Sequence, residues 1–232
     1  MADKLRVLIE GIPALIWGPD SDKVYIYVHG KMGCKENAES FAENAISRGY
    51  QVVSFDLPEH GERKNENYQI LVWNGVKDLK SISNYVTNKW KEISLYACSL
   101  GAYFSLLAYK DLDLKKSLFQ CPVLDMENLI SNMMSWFNIT EEQLKSEKVI
   151  ETPIGETLYY DYWIYTKENP IIKWNSNTYI LYPSKDGLTD KTTVSNFVDK
   201  YSANLTVIEG AEHYFTEEKY LKQLEKWFNE YI

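Results

Sequence analysis

Short apolar runs rich in β-branched and aromatic residues recur along the chain, and most after the first pair are followed by a segment of helical periodicity. Val24-Tyr25-Ile26-Tyr27-Val28 is near-continuously apolar and ends in His29-Gly30, the pattern of a parallel strand buried on both faces. Ala38, Phe41, Ala42, Ala45 and Ile46 then fall at helical spacing, with Gly49 as the stop. Gln51–Phe55 reads as the next strand. A helix is predicted from about Tyr68 to Asn88, a strand over Ile93–Ala97 and a helix over Leu100–Tyr109. Further strands are expected over Lys116–Phe119, Thr178–Tyr182 and Leu205–Ile208, and a last amphipathic helix capped by Thr216, with Glu217 and Glu218 in its first turn. Leu5–Ile9 and Ala14–Trp17, separated by Glu10–Pro13, suit a leading hairpin at a sheet edge. Strand-then-helix alternation of this kind predicts an α/β fold with a doubly wound, mostly parallel sheet.

One stretch breaks the alternation. Residues 126–174 carry Met133-Met134, Trp136-Phe137 and a cluster of Tyr159, Tyr160, Tyr162, Trp163 and Tyr165. No Pro-, Gly- or Ser-rich linker sets them apart, so they read as a small helical cap inserted into one domain spanning 1–232. The aromatic residues serve either as the cap's own small core or as a pocket lining. In the second role Trp136, Tyr160 and Trp163, with Met32 from the body, are the candidate substrate contacts.

A chain of 232 residues can bury a full core without disulfides or metal. The formal net charge of −8 disfavours nucleic acid and anionic membrane as partners. Three cysteines, Cys34, Cys98 and Cys121, are the wrong number for a disulfide framework and suit a reducing compartment. No secretory leader and no membrane-length apolar window is visible, so a soluble cytoplasmic protein is expected. No cluster of His, Cys and Asp has ligand spacing, so neither metal nor cofactor is expected.

The chemistry concentrates around Ser99. A strand, then Ala97-Cys98-Ser99-Leu100-Gly101, then a helix is the context of a nucleophile elbow. Its tightness demands small residues two before and two after the nucleophile. Ala97 and Gly101 meet that demand. Cys98, the rival nucleophile, has Tyr96 and Leu100 at those positions, so its thiol is expected to pack inward. A serine hydroxyl needs a base, and the chain offers His29, His60 and His213. His213 follows the last strand, where a loop reaches back to the elbow. Asp186, after the strand Thr178–Tyr182, is the expected orienting carboxylate; its competitor Asp190 is better placed to open the next helix. The order Ser99, Asp186, His213 is that of the α/β-hydrolase template. Backbone N–H groups of Leu100 and of Lys31, with Met32 next, are the candidate oxyanion donors.

Taken together, His29-Gly30, Asp56-Leu57-Pro58-Glu59-His60-Gly61, the Ser99 elbow, Asp186 and Glu212-His213-Tyr214-Phe215 resemble α/β-hydrolases, nearest the small bacterial carboxylesterases and the monoacylglycerol-lipase and serine-aminopeptidase branch. The resemblance runs from about Val24 to the end. It implies that the first His-Gly leads into the oxyanion loop, with Lys31 as donor, and that the stretch around His60 is structural. The chain departs from that pattern at Glu59 and Ala97, where Gly is usual. The reading is a serine hydrolase cleaving a small-molecule carboxylic ester through an acyl-enzyme. The same three groups would also serve a thioesterase, an amidase or peptidase, or an acyltransferase; a binding protein on a hydrolase scaffold is the alternative of another class. Acyl group, leaving group and any homo-oligomer are left open.

Overall fold

The computed structural model describes residues 3–232. Its centre is an eight-stranded sheet in the order β1-β2-β4-β3-β5-β6-β9-β10, formed by β1 (Lys4–Ile9), β2 (Ile12–Trp17), β3 (Lys23–Val28), β4 (Gln51–Phe55), β5 (Glu92–Cys98), β6 (Ser117–Gln120), β9 (Thr178–Pro183) and β10 (Asn204–Ile208). Strands β4 through β10 in that order pair in parallel, whereas β2 runs antiparallel to both β1 and β4. The leading hairpin is tighter than Glu10–Pro13 suggested. Its turn is Glu10-Gly11 alone, both with positive φ, which suits the twist of a two-residue hairpin.

Side-chain alternation along the central strands divides the core between two faces. Val24, Ile26 and Val28 of β3, with Leu95 and Ala97 of β5, pack on one face against α2 (Val72–Thr87) and α3 (Leu100–Ala108). Tyr25, Tyr27 and Tyr96 point to the other face, where α1 (Glu39–Ile46) and α8 (Glu218–Tyr231) cover them. There Tyr27 and Tyr96 stack with ring centroids 4.7 Å apart, and Phe41 of α1 meets Phe228 of α8 edge-on at 5.3 Å. Helix α7 (Lys191–Tyr201) lies between β9 and β10 in the chain. The α/β reading of the sequence describes this architecture.

Two helix starts differ from expectation. Helix α2 begins at Val72, not Tyr68, because Leu71 is extended and the Ile70 N–H is bound by the Glu59 carboxylate at 2.7 Å. Helix α8 begins at Glu218 with Glu217 at its N-cap position, so Thr216 lies outside it and caps nothing.

The insertion between β6 and β9 is not purely helical. Helices α4 (Met126–Trp136), α5 (Glu141–Glu147) and α6 (Tyr160–Glu168) are joined by a hairpin of β7 (Val149–Glu151) and β8 (Thr157–Tyr159). Its β-branched Val149, Ile150 and Thr157 favour the extended form. At the far end, Trp174 belongs to the body: it is buried against Phe119 at 5.6 Å and donates from Nε1 to Thr178 Oγ1.

Candidate active site

Strand β5 delivers Ser99 at the centre of the sheet's carboxyl edge, and α3 begins one residue later. The turn forces Ser99 to φ 49° and ψ −117°, a left-handed conformation that costs a non-glycine residue on the order of 1–3 kcal/mol. Small neighbours make it feasible. A Cβ on Gly101 would sit 2.4 Å from the His29 carbonyl oxygen, and one on Gly30 would press the Ser99 Cβ at 3.1 Å. The geometry holds Ser99 Oγ 2.8 Å from His213 Nε2.

His213 lies on the loop after β10 and is buried. Its Nδ1–H faces Asp186, 2.8 Å from Oδ2 and 3.0 Å from Oδ1. The Asp186 side chain is fully shielded from solvent. Its Oδ1 also accepts the N–H groups of Leu188 and Thr189, which satisfies the buried charge and fixes the carboxylate. The two loops are laced together: Ser184 N–H donates to Ile208 O, Lys185 N–H to Ala211 O, and Gly210 N–H to Ser184 Oγ. Ser99, His213 and Asp186 thus form one hydrogen-bonded chain. Asp190 lies apart, capping α7 through the Thr193 N–H; that hydrogen bond holds its carboxyl below the usual range.

The other two histidines occupy backbone-binding positions. His29 Nε2 accepts the Leu57 N–H at 3.0 Å, and its Nδ1 lies 2.7 Å from the Gly30 carbonyl. His60 Nε2 accepts the Met32 N–H at 2.9 Å, with Nδ1 2.7 Å from the Pro58 carbonyl. These partners assign each ring as the neutral tautomer carrying its proton on Nδ1. Burial lowers the His29 pKa to about 4. Because the Met32 N–H is committed to His60, Lys31 and Met32 are no longer equivalent as donors on this loop. The loop turns through a Gly33 N–H to Gly30 O bond, with Met32 at φ 65°. Leu100 N–H, at the first position of α3, belongs to the helix-end donors that lack an intrahelical acceptor. Desolvation pushes the Cys98 thiol up to about 12, with the nearby Asp186 carboxylate adding to the shift, so it stays protonated at neutral pH.

Beside Ser99 a cavity of about 690 Å³ opens beneath the insertion. Its apolar wall is the face of α4 carrying Met126, Leu129, Ile130 and Met133, joined by Tyr162 of α6 and Leu158 of β8. Across its mouth the Lys31 ammonium pairs with the Glu156 carboxylate of the β7–β8 turn. Three of the anticipated substrate contacts lie elsewhere. Trp163 is buried in the core with Lys167 over its ring, Tyr160 faces Lys148, and Trp136 is exposed at the end of α4. None of the three lines the cavity, and α6 presents Tyr162 to it rather than Tyr160 or Trp163. Met32 is exposed and lines a second cleft, on the α8 side of Ser99. The contacts that sequence reading missed were visible as a periodic stripe, Met126, Leu129, Ile130 and Met133 at i, i+3, i+4 and i+7.

No family model matches the sequence, and no curated protein does. Solved structures do resemble it. Est1E from Butyrivibrio proteoclasticus, solved with ferulic acid bound, superposes with a TM-score of 0.79 at 15% identity over 98% of this chain and 97% of its own. Alpha/beta hydrolase domain-containing protein 10 from mouse also gives 0.79 at 15% identity, over 99% and 98% of the two chains. An esterase from Pyrococcus furiosus gives 0.68 at 16% identity, over 99% and 91%. The chain has the α/β-hydrolase fold, and the structures it resembles are esterases and hydrolases.

Proposed function

We propose that the protein is a serine hydrolase cleaving a carboxylic ester of a small molecule, with Ser99 as nucleophile, His213 as base and Asp186 as orienting carboxylate. The observation that carries this reading is the unbroken chain from Ser99 Oγ to His213 Nε2 and from His213 Nδ1 to Asp186. A serine hydroxyl with a positioned imidazole, itself held by a buried carboxylate, is the arrangement that acyl transfer requires. The esterase and hydrolase neighbours add support at the level of the fold.

In the first half-reaction Ser99 Oγ attacks the ester carbonyl carbon while its proton passes to His213 Nε2. The resulting oxyanion is received by the N–H groups of Leu100 and Lys31, the loop donor left when His60 takes Met32. Collapse breaks the bond to the leaving oxygen, which takes the proton from His213 and departs as the alcohol. In the second half a water gives its proton to His213 and attacks the acyl-enzyme. The acid is released and Ser99 regains its hydrogen. Asp186 holds the imidazole in place and stabilises the imidazolium. No metal or cofactor takes part in these steps.

The apolar face of α4 suits an apolar acyl group in the 690 Å³ cavity. Three free cysteines, one adjoining Ser99, suit a reducing compartment such as the cytoplasm. Matched esters, thioesters and N-terminal aminoacyl amides test the bond cleaved. The ester is expected to show the highest kcat/KM, and an amide exceeding every ester would overturn the esterase reading.

A further inference from the structure

Ser99 and His213 stand where two cavities meet, and the second has no part in the acyl binding described above. It is a cleft of about 860 Å³ that runs from Ser99 and His213 out between α1 and α8. Among the described residues, only Lys31, Ser99, His213 and Tyr214 border both spaces. The two are alike in overall polarity and differ in the side chains that make up their walls. The cap side presents the methionine and leucine stripe of α4. The α1–α8 side presents Asn37, Ser40 and Gln120, with Glu218, Lys222 and Glu225 towards solvent.

Resting on the hydrolase reading, we infer that the α1–α8 cleft receives the leaving group of the substrate, and that this group is a bulky, hydroxylated, uncharged alcohol. His213 must hand its proton to the departing oxygen and borders both cavities, so proton transfer is open to a leaving group on either side. The direction follows instead from the walls: the continuous methionine and leucine face of α4 suits the acyl chain, which leaves the cleft between α1 and α8 for the leaving group. The charge balance excludes an anion. Glu218 and Lys222 neutralise each other at 2.7 Å, Lys31 is paired with Glu156, and Glu225 leaves the cleft acidic. Asn37 Oδ1 and Gln120 Oε1 already accept from the Cys34 N–H and the Tyr96 hydroxyl, so the amide NH2 groups of these two residues are left to donate to alcohol hydroxyls, and the tyrosine and phenylalanine floor suits the apolar face of a ring.

The test uses two esters of one medium-chain acid, the methyl ester and a glucose ester, with the full-length protein. Ser40→Trp and Leu221→Trp narrow the cleft from α1 and α8 respectively. Both positions are exposed, and neither contributes to the proposed catalytic machinery. For each variant kcat/KM on the glucose ester is expected to fall ~10-fold or more while the methyl ester stays within about twofold, the scale on which a lost pocket contact discriminates substrates. Ile70→Trp, on the cap side, should instead change kcat/KM on the two esters by the same factor. Equal losses on the two esters, or no loss on either, in both cleft variants would overturn the assignment. A wild-type protein that hydrolyses neither ester but is labelled at Ser99 would also overturn it, whereas absence of labelling would overturn the hydrolase reading beneath it.

Discussion

Under the proposed mechanism the residues around Ser99 separate into those that react and those that hold the reacting groups. Asp186 and Asp190 make the division measurable, because the two carboxylates lie four positions apart and do different work. Asp186→Asn should lower kcat ~10⁴-fold, as loss of the orienting carboxylate does in other triads. Asp190→Asn should keep kcat and cost at most about 1 kcal/mol of stability as a weaker helix cap, read by chemical denaturation. His60 supplies a second test. Its Nε2 pins the Met32 N–H and so sets the turn that presents Lys31. His60→Ala should lower kcat ~10-fold with KM little changed, below the 10²–10³ of deleting an oxyanion donor outright, and His60→Gln should recover part of the loss. A KM increase with kcat intact would mean that His60 shapes binding instead. The hydrogen-bonded chain of Ser99, His213 and Asp186 was legible because each member follows a strand. His60's partner was not, since a bond between loops 28 residues apart leaves no periodic trace.

The strand–turn–helix from β5 into α3 is the element on which the site depends. Gly101 is its tightest point, with backbone rather than a flexible side chain in the way of a Cβ. Gly101→Ala is therefore expected to cost more than about 3 kcal/mol, in the range of severe core strain, and to abolish activity with it; unchanged denaturation would mean that the turn relaxes freely. The buried strands and the amphipathic helices could be read from the sequence because burial imposes periods of two and 3.6. The start of α2 could not, because Glu59 captures the Ile70 N–H from another loop. The β7–β8 hairpin also escaped notice: three-residue strands are too short to show alternation, and the aromatic residues around them drew attention to helices. The same density of tyrosine and tryptophan concealed which of them faces the cavity, a matter settled by the rotation of α6.

At the scale of the molecule, a doubly wound sheet brings three loops from distant parts of the chain to one edge, and the site inherits the stability of that edge. His29 sits beside the Gly30–Gly33 turn with its pKa lowered to about 4 by burial. Folding therefore favours the neutral ring. The stabilisation is complete above the ordinary histidine value near 6.5 and is lost progressively as pH falls from there to about 4. Full protonation of this one group removes about 3 kcal/mol. The unfolding midpoint in urea should fall over that window in the wild type and fall less in His29→Gln; identical slopes would exclude His29 as the source. No helix among the described residues is long and apolar enough to cross a membrane. The acidic balance, the fold class and the positions of Ser99, Asp186 and His213 could be read from composition and order alone. The two cavities could not, because they form between elements far apart in the chain. The central claim is that Ser99 is an activated nucleophile. A fluorophosphonate probe followed by intact-mass and peptide mapping tests it most directly. One adduct per chain on Ser99, absent from Ser99→Ala and slowed in His213→Ala, is the predicted result; no adduct on the wild type, or undiminished labelling of Ser99→Ala, would contradict it.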